Sequence, residues 1–246
     1  MQKFCIKLAD RIISISCNYE KTKDFCRDYL TDEATADMEV VVSLADLALE
    51  KKYGEKEYGE LAQRFSNAYL EQLAVYRQIA EQMPKFDTIL FHGSAIAVDG
   101  QAYLFTAPSG TGKSTHTRLW RETFGRRAFM VNDDKPLLKI QKDGSVLVYG
   151  TPWNGKHRLG TNTKVLLKGI CILSQASENY IEKVEKEEGF KAIFQQTYRS
   201  RKDPLMIKKT LELLDAILEV PTWHLGCTIS KEAVDIAYEA MSKEKE

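Results

Sequence analysis

Residues 107 to 114 read Ala-Pro-Ser-Gly-Thr-Gly-Lys-Ser. They match the phosphate-loop pattern G-x-x-x-x-G-K-[ST] everywhere except at the first position, where Ala107 replaces glycine. The chemistry of such a loop survives that change. Gly110 and Gly112 allow the backbone to turn its N–H groups inward on phosphate oxygens, and a helix beginning near Lys113 aims its positive end at the same point. Lys113 is placed to reach the β and γ oxygens of a triphosphate, and the Ser114 hydroxyl is a hard oxygen ligand suited to Mg²⁺. The expected nucleotide-binding set is therefore Ser109, Gly110, Thr111, Gly112, Lys113, Ser114 and Thr115. Ser109 can equally be a turn residue that satisfies backbone groups, and Thr115 and His116 can equally be helix-face residues.

About twenty residues after Lys113, Asp133 and Asp134 close an apolar run. Two adjacent carboxylates beside a cation can divide the work, one holding metal and the other accepting a proton from an attacking hydroxyl. Alternation along a strand sends successive side chains to opposite faces, so the two need not share a side. The bland alternative is a solvated Asp-Asp turn. His92, in Phe-His-Gly-Ser, sits at a strand end beside a glycine that permits close approach. Farther on, Thr-Pro-Trp-Asn-Gly-Lys-His-Arg-Leu-Gly groups Lys156, His157 and Arg158 between Gly155 and Gly160. Such a cationic loop could close on phosphate or on an anionic acceptor, its glycines permitting movement, with Lys156 first in rank and Arg158 second. Arg199 and Arg201 are further cations that could meet phosphate or acceptor, or simply decorate a helix end.

These residues need a scaffold. Apolar β-formers lead into the phosphate loop through Asp99-Gly100, a dipeptide suited to a tight hairpin. The stretch from Lys113 has helical character and ends at Gly125, and Arg127 to Asp134 has the character of a strand ending in two carboxylates. Ser145 to Gly150 and Lys164 to Leu173 are further strand candidates. Helices are expected over about 187–198, 203–219 opening at Asp203-Pro204, and 230–243 capped by Ser230, with a short strand at 222–227. The N-terminal sixty residues mix strand-like runs, Ile12 to Ser16 and Met38 to Glu50, with charged turns. A helix capped by Ser66 and stopped by Pro84 leads out of them. The expected domains are 1–85, an α+β subdomain with its linking helix, and 86–246, a kinase-like phosphate-loop domain.

Composition narrows the partners. Thirty-five basic residues balance thirty-five acidic ones, and 43% of the chain is hydrophobic. No global field draws the protein to nucleic acid or to an anionic membrane. The five cysteines form no C-x-x-C pair, which argues against a disulfide framework or a zinc site. The polar, Asp10-broken N-terminus does not read as a signal peptide, and no apolar run nears the ~20 residues of a membrane helix. The expectation is a cytoplasmic protein.

Taken in order, Phe-His-Gly-Ser, the hairpin, Ser-Gly-Thr-Gly-Lys-Ser-Thr and Val-Asn-Asp-Asp resemble the HPr kinase/phosphorylase and ATP-dependent phosphoenolpyruvate carboxykinase superfamily, over roughly residues 88 to 175. The resemblance implies an α/β fold whose phosphate loop lies in a mixed sheet of the HPr kinase C-terminal type, with a small N-terminal α+β subdomain. It implies ATP and Mg²⁺ as cofactors, Lys113 and Ser114 on triphosphate and metal, Asp133 as acid/base, Asp134 assisting with metal, and His92 near the transferred phosphate. The Glu-Arg-Gly signature of HPr kinases is not evident, and the chain is far shorter than a carboxykinase, so neither HPr nor a carboxylic acid is the implied acceptor. The sequence looks most like smaller HPr-kinase-related bacterial proteins. The activity implied is serine phosphorylation on a protein or peptide, with small hydroxyl compounds such as free serine as one alternative and a non-catalytic ATP sensor or recruiter as another. Oligomeric state stays open, a homo-oligomer included.

Overall fold

The computed structural model describes residues 1–155, 157–200 and 203–243. Lys156 and Arg201, both singled out above, lie outside the described residues. The chain divides into two compact units, Met1–Gln82 and Met83–Glu246.

In the first unit β1 (Gln2–Leu8) and β2 (Arg11–Cys17) form an antiparallel hairpin, and β3 (Met38–Val41) runs parallel to β2. The hairpin turn, Ala9-Asp10, holds both residues at positive φ, 50° and 60°, without a glycine to announce it. Helices α1 (Glu20–Phe25), α2 (Leu44–Tyr58) and α3 (Asn67–Gln82) complete the unit. The run from Met38 to Glu50 is strand for only its first four residues. Ser43 Oγ accepts from the Asp46 N–H at 3.3 Å while the Asp46 carboxylate accepts from the Ser43 N–H at 3.0 Å. That capping box turns the rest of the run into α2. α3 starts where Ser66 Oγ accepts from the Tyr69 N–H.

The second unit is a mixed sheet with helices on both faces. Its strands are β4 (Thr88–Leu90), β5 (Ser94–Val98), β6 (Gln101–Thr106), β7 (Ala128–Asn132), β8 (Leu137–Ile140), β9 (Val146–Tyr149), β10 (Lys164–Gln175), β11 (Tyr180–Lys183) and β12 (Thr222–Cys227). The order is β4-β8-β9-β10-β6-β5-β7, with β12 parallel to the second half of β10 and β11 antiparallel to β12. Only the β10–β6 and β10–β12 pairings are parallel. Helices α4 (Lys113–Phe124), α5 (Lys186–Gln196), α6 (Pro204–Ile217) and α7 (Lys231–Ser242) cover the sheet.

Period-2 alternation sorts the strand residues between two cores. Ala95, Ala97 and Leu104 pack with Ile193, Leu213 and Ile217 of α5 and α6. Ile96, Val98, Tyr103 and Phe105 pack with Trp120 of α4 and Val234 and Met241 of α7. Both faces are buried, so the strands read as near-continuous apolar runs.

β4 and β5 look continuous in sequence but stand far apart in the strand order. Phe91 to Gly93 carries the chain from one to the other, and Asp133 to Pro136 carries it from β7 to β8. The two crossings run alongside each other: the Phe91 N–H donates to the Pro136 carbonyl at 3.1 Å, and the Gly93 N–H to the Asp134 carbonyl at 3.0 Å. Opposite ends of the strand path are thereby tied together. His92, Asp133 and Asp134 all lie on these crossings. Among the described residues, no helix is long and apolar enough to cross a membrane.

Candidate functional site

The β5–β6 hairpin turns at Asp99 and Gly100, both at positive φ (50° and 80°), and β6 delivers the chain to the phosphate loop. Gly110 and Gly112 adopt φ of 83° and 123°, which side-chain-bearing residues rarely adopt. Here glycine is required by conformation. Gly112 is the N-cap of α4 and offers no side chain, so the first-turn N–H groups stay directed at the loop. The Lys113 ammonium is buried and donates to the Ala107 carbonyl at 2.8 Å and the Pro108 carbonyl at 3.4 Å. Burial lowers it below the ordinary lysine range, with the Asp134 charge opposing. Ser114 is exposed in the first turn, whereas His116 is buried and accepts the Trp120 indole N–H at 2.9 Å. Burial drops the His116 imidazole to about 4. His116 is therefore a neutral packing residue of α4 that also lines a cavity at the loop.

Asn132 organises the aspartates, and sequence reading passed over it. It is wholly buried at the end of β7. Its Oδ1 accepts from the N–H groups of Asp134 (2.9 Å) and Lys135 (2.6 Å), and its Nδ2 donates to Thr151 Oγ1 at 3.0 Å. The first pair bends the chain sharply after the strand, and the third bond fastens the 151–155 segment beneath it. The clue was available: an Asn before two Asp residues is a local turn former.

That bend gives the two aspartates different surroundings. Asp133 is buried; its Oδ1 accepts from the Gly155 N–H at 2.6 Å, and its carbonyl accepts from Ser94 Oγ at 2.9 Å. Burial pushes its carboxyl above the ordinary carboxylate range despite that N–H. Asp134 lies with Oδ1 3.4 Å from His92 Nε2 and Oδ2 3.5 Å from Lys135 Nζ. Burial would raise it too, but His92 and Lys135 outweigh burial and hold it below the ordinary range. His92 is itself positioned by Gln196, whose Oε1 is 2.8 Å from Nδ1, and by backbone bonds to Gln196 and Thr106. Gly93 is needed for close approach: an added Cβ would lie 2.9 Å from the Phe105 carbonyl oxygen.

The glycines of the 153–162 segment serve packing. An added Cβ at Gly155 would lie 2.9 Å from Asp133 Oδ2, and one at Gly160 would lie 1.9 Å from Asn154 Oδ1. Neither glycine takes positive φ, and buried Trp153 and the Thr161 N–H bond to the Val131 carbonyl pin the segment. These glycines, expected to permit movement, both sit where another group comes close. Arg158, in contrast, is exposed and holds φ at 48°. Arg199 donates to the carbonyls of Phe194 and Thr197 and stacks on the Phe194 ring, at the end of α5.

Two cavities flank the loop. One, of about 440 Å³, is lined by Gly110, Thr111, Gly112, Thr115, His116 and Gln175 among others. The other, of about 370 Å³, brings Ser114 together with Asp133, and is completed by Thr115, Thr117, Arg118, Arg121, His157 and Leu159. Among the described residues no three His, Cys, Asp or Glu side chains cluster as a protein-only metal cage. Mg²⁺ seldom uses one; it takes one or two protein oxygens and fills its shell from phosphate and water. The Ser114 hydroxyl and the Asp133–Asp134 carboxylates fit that need.

No family model matches the chain, and no curated protein matches it. Among solved structures it is similar to the HPr(Ser) kinase/phosphatase of Coxiella burnetii, at 12% identity over 63% of this chain and 99% of that one, with a TM-score of 0.36. A likeness that slight places no residue and assigns no activity.

Proposed function

We propose that this chain is a Mg²⁺- and ATP-dependent phosphotransferase that moves the γ-phosphoryl group to a hydroxyl, serine of a protein or peptide first and a small hydroxyl compound second. The observation that carries the reading is the cavity shared by Ser114 of the phosphate-loop helix and Asp133. It sets a carboxylate with a raised pKa beside the hydroxyl that would hold metal.

In this reading the loop N–H groups and the start of α4 hold the triphosphate, and Lys113 turns from its loop carbonyls to the β and γ oxygens. The cavity of about 440 Å³ on the other side of the loop has room for the nucleoside. Ser114 and an aspartate hold Mg²⁺, which offsets phosphate charge when bound. Asp133, fixed by Gly155, orients the acceptor hydroxyl and takes its proton. The acceptor oxygen forms a bond to the γ-phosphorus as the bond to the β–γ bridging oxygen breaks, and ADP leaves with that electron pair. Asp134 and His92 act together beside Lys113, keeping one negative charge on the metal side.

The test is transfer from γ-³²P-ATP with Mg²⁺ into fractionated host lysate, for wild type beside Asp133→Asn. Label that requires Asp133 supports a kinase and identifies the acceptor fraction. ATP binding without any Asp133-dependent label leaves a nucleotide sensor or recruiter as the better reading.

A further inference from the structure

The cavity beside Asp133 extends away from the phosphate loop along one face of α4. Ser114, Thr117, Arg118 and Arg121, at spacings of three, four and seven residues, form a single helical stripe, and all four line it. Asp133, His157 and Leu159 line it too, Asp133 together with Ser114 serving the transferred phosphoryl group. At 1.5 Å per residue the seven-residue step from Ser114 to Arg121 covers roughly 10 Å, and arginine side chains on a helix lean back toward its N-terminus. The polar end of the stripe that phosphate chemistry does not use is therefore cationic.

The two arginines differ. Arg118 donates to Glu122 at 2.6 Å, one turn on, and its charge is already matched on the helix. Arg121 is half-buried, lines the cavity, and its Nε is buried with no hydrogen-bond partner among the described residues. A guanidinium N–H without an acceptor is costly; an acceptor oxygen relieves it, and an anionic one does so most strongly. A carboxylate fits the planar fork in two-point fashion.

Resting on the phosphotransferase reading, we propose that Arg121 recognises a carboxylate of the acceptor, an acidic residue about two positions from the hydroxyl residue in a peptide. Two residues of extended chain span roughly 7 Å, which fits within the roughly 10 Å of helix between Ser114 and Arg121. Free serine, whose own carboxylate lies closer to its hydroxyl, is the shorter source of the same group. Arg121 is thus a specificity residue, and Arg118 a weaker second donor.

The experiment uses the full chain and hexapeptides with one central serine, carrying Glu or Gln two positions to either side, with L-serine and L-serinamide as a separate arm. Peptide binding is read by calorimetry without nucleotide, and transfer by γ-³²P-ATP. The expected result is that one Glu peptide binds roughly tenfold to a hundredfold more tightly than its Gln partner. That preference collapses in Arg121→Gln and partly returns in Arg121→Lys, with the change in KM rather than kcat. A preference confined to serine over serinamide moves the carboxylate to a small molecule but keeps Arg121 as its receptor. Equal binding of Glu and Gln peptides and of serine and serinamide overturns the inference, as does a loss in Arg121→Gln that is equal for all acceptors and falls on kcat, which would put Arg121 on the phosphoryl group. Arg121-dependent binding without transfer keeps the anion site and removes the phosphotransferase reading, so the two fail separately.

Discussion

Both units bury charge, and they treat it in opposite ways. In the first, Arg77 of α3 is buried and meets Glu50 at 2.5 Å, Asp46 at 2.7 Å and Glu81 at 3.5 Å. Glu71, wholly buried, accepts from the N–H groups of Asn18 and Tyr19, just ahead of α1, and from Thr22 Oγ1. Each charge there is consumed by neighbours of the same unit. In the second unit, Lys113 rests on two loop carbonyls and Asp133 on backbone N–H groups, with part of each group's capacity left for something else. Charges that satisfy one another hold a fold together, whereas charges held only by backbone are poised to change partners.

The largest effect should be on transfer. Asp133→Asn keeps an oxygen for the Gly155 N–H but removes the base, and transfer should fall by about 10²–10⁴-fold, read as γ-³²P turnover. Stability should not fall. The Asp133 carboxyl is raised in the fold, so its charged form opposes folding at neutral pH, and a marked drop in urea midpoint for this variant would erase the contrast drawn above. Arg77→Ala should do the reverse, costing about 3–5 kcal/mol in urea unfolding, because Glu50 and Asp46 are left buried without their cation.

Next comes His116. Its value falls from the ordinary 6.5 to about 4 in the fold. Between those pH values the unfolded chain binds the proton first, so stability declines as pH drops from roughly 6.5 to about 4 and then levels, by roughly 3 kcal/mol in all. His116→Gln, whose amide oxygen can accept the Trp120 N–H, should flatten that slope in a melting-temperature series. Lys113→Ala removes a charge-assisted donor and should weaken ATP binding roughly tenfold to a hundredfold by calorimetry. Finally, the acid limb of kcat/KM should lie above the ordinary carboxylate value of about 3.9, with activity rising with pH as Asp133 loses its proton, and should vanish with Asp133→Asn.

Local chemistry made much of this readable. Asp99-Gly100 announced its hairpin, Ser230 and Asp203-Pro204 their helices, and the glycine spacing its loop, because turn and cap preferences act over a few residues. The misread stretches involve competition between local signals or contacts distant in sequence. The run after Met38 carries both strand formers and a capping box, and the box wins from Ser43 onward. The Ala9-Asp10 turn takes a glycine-like conformation that no residue type advertised. Gly155 and Gly160 also sit where Asp133 and Asn154 come close, an approach that no local signal announced.

By itself the sequence determined the glycine loop at 107–112, the helix it opens and the Asp-Asp pair, since each depends on neighbours within a few positions. Tertiary structure alone decided what those residues face. The antiparallel crossings at 91–93 and 133–136 set His92 against Asp134, Asn132 bent the chain at Asp134 and Lys135, and α4 laid Arg121 along the cavity that Asp133 and Ser114 also line. Those pairings join residues up to about forty positions apart, where no spacing rule reaches and only the strand order brings them together.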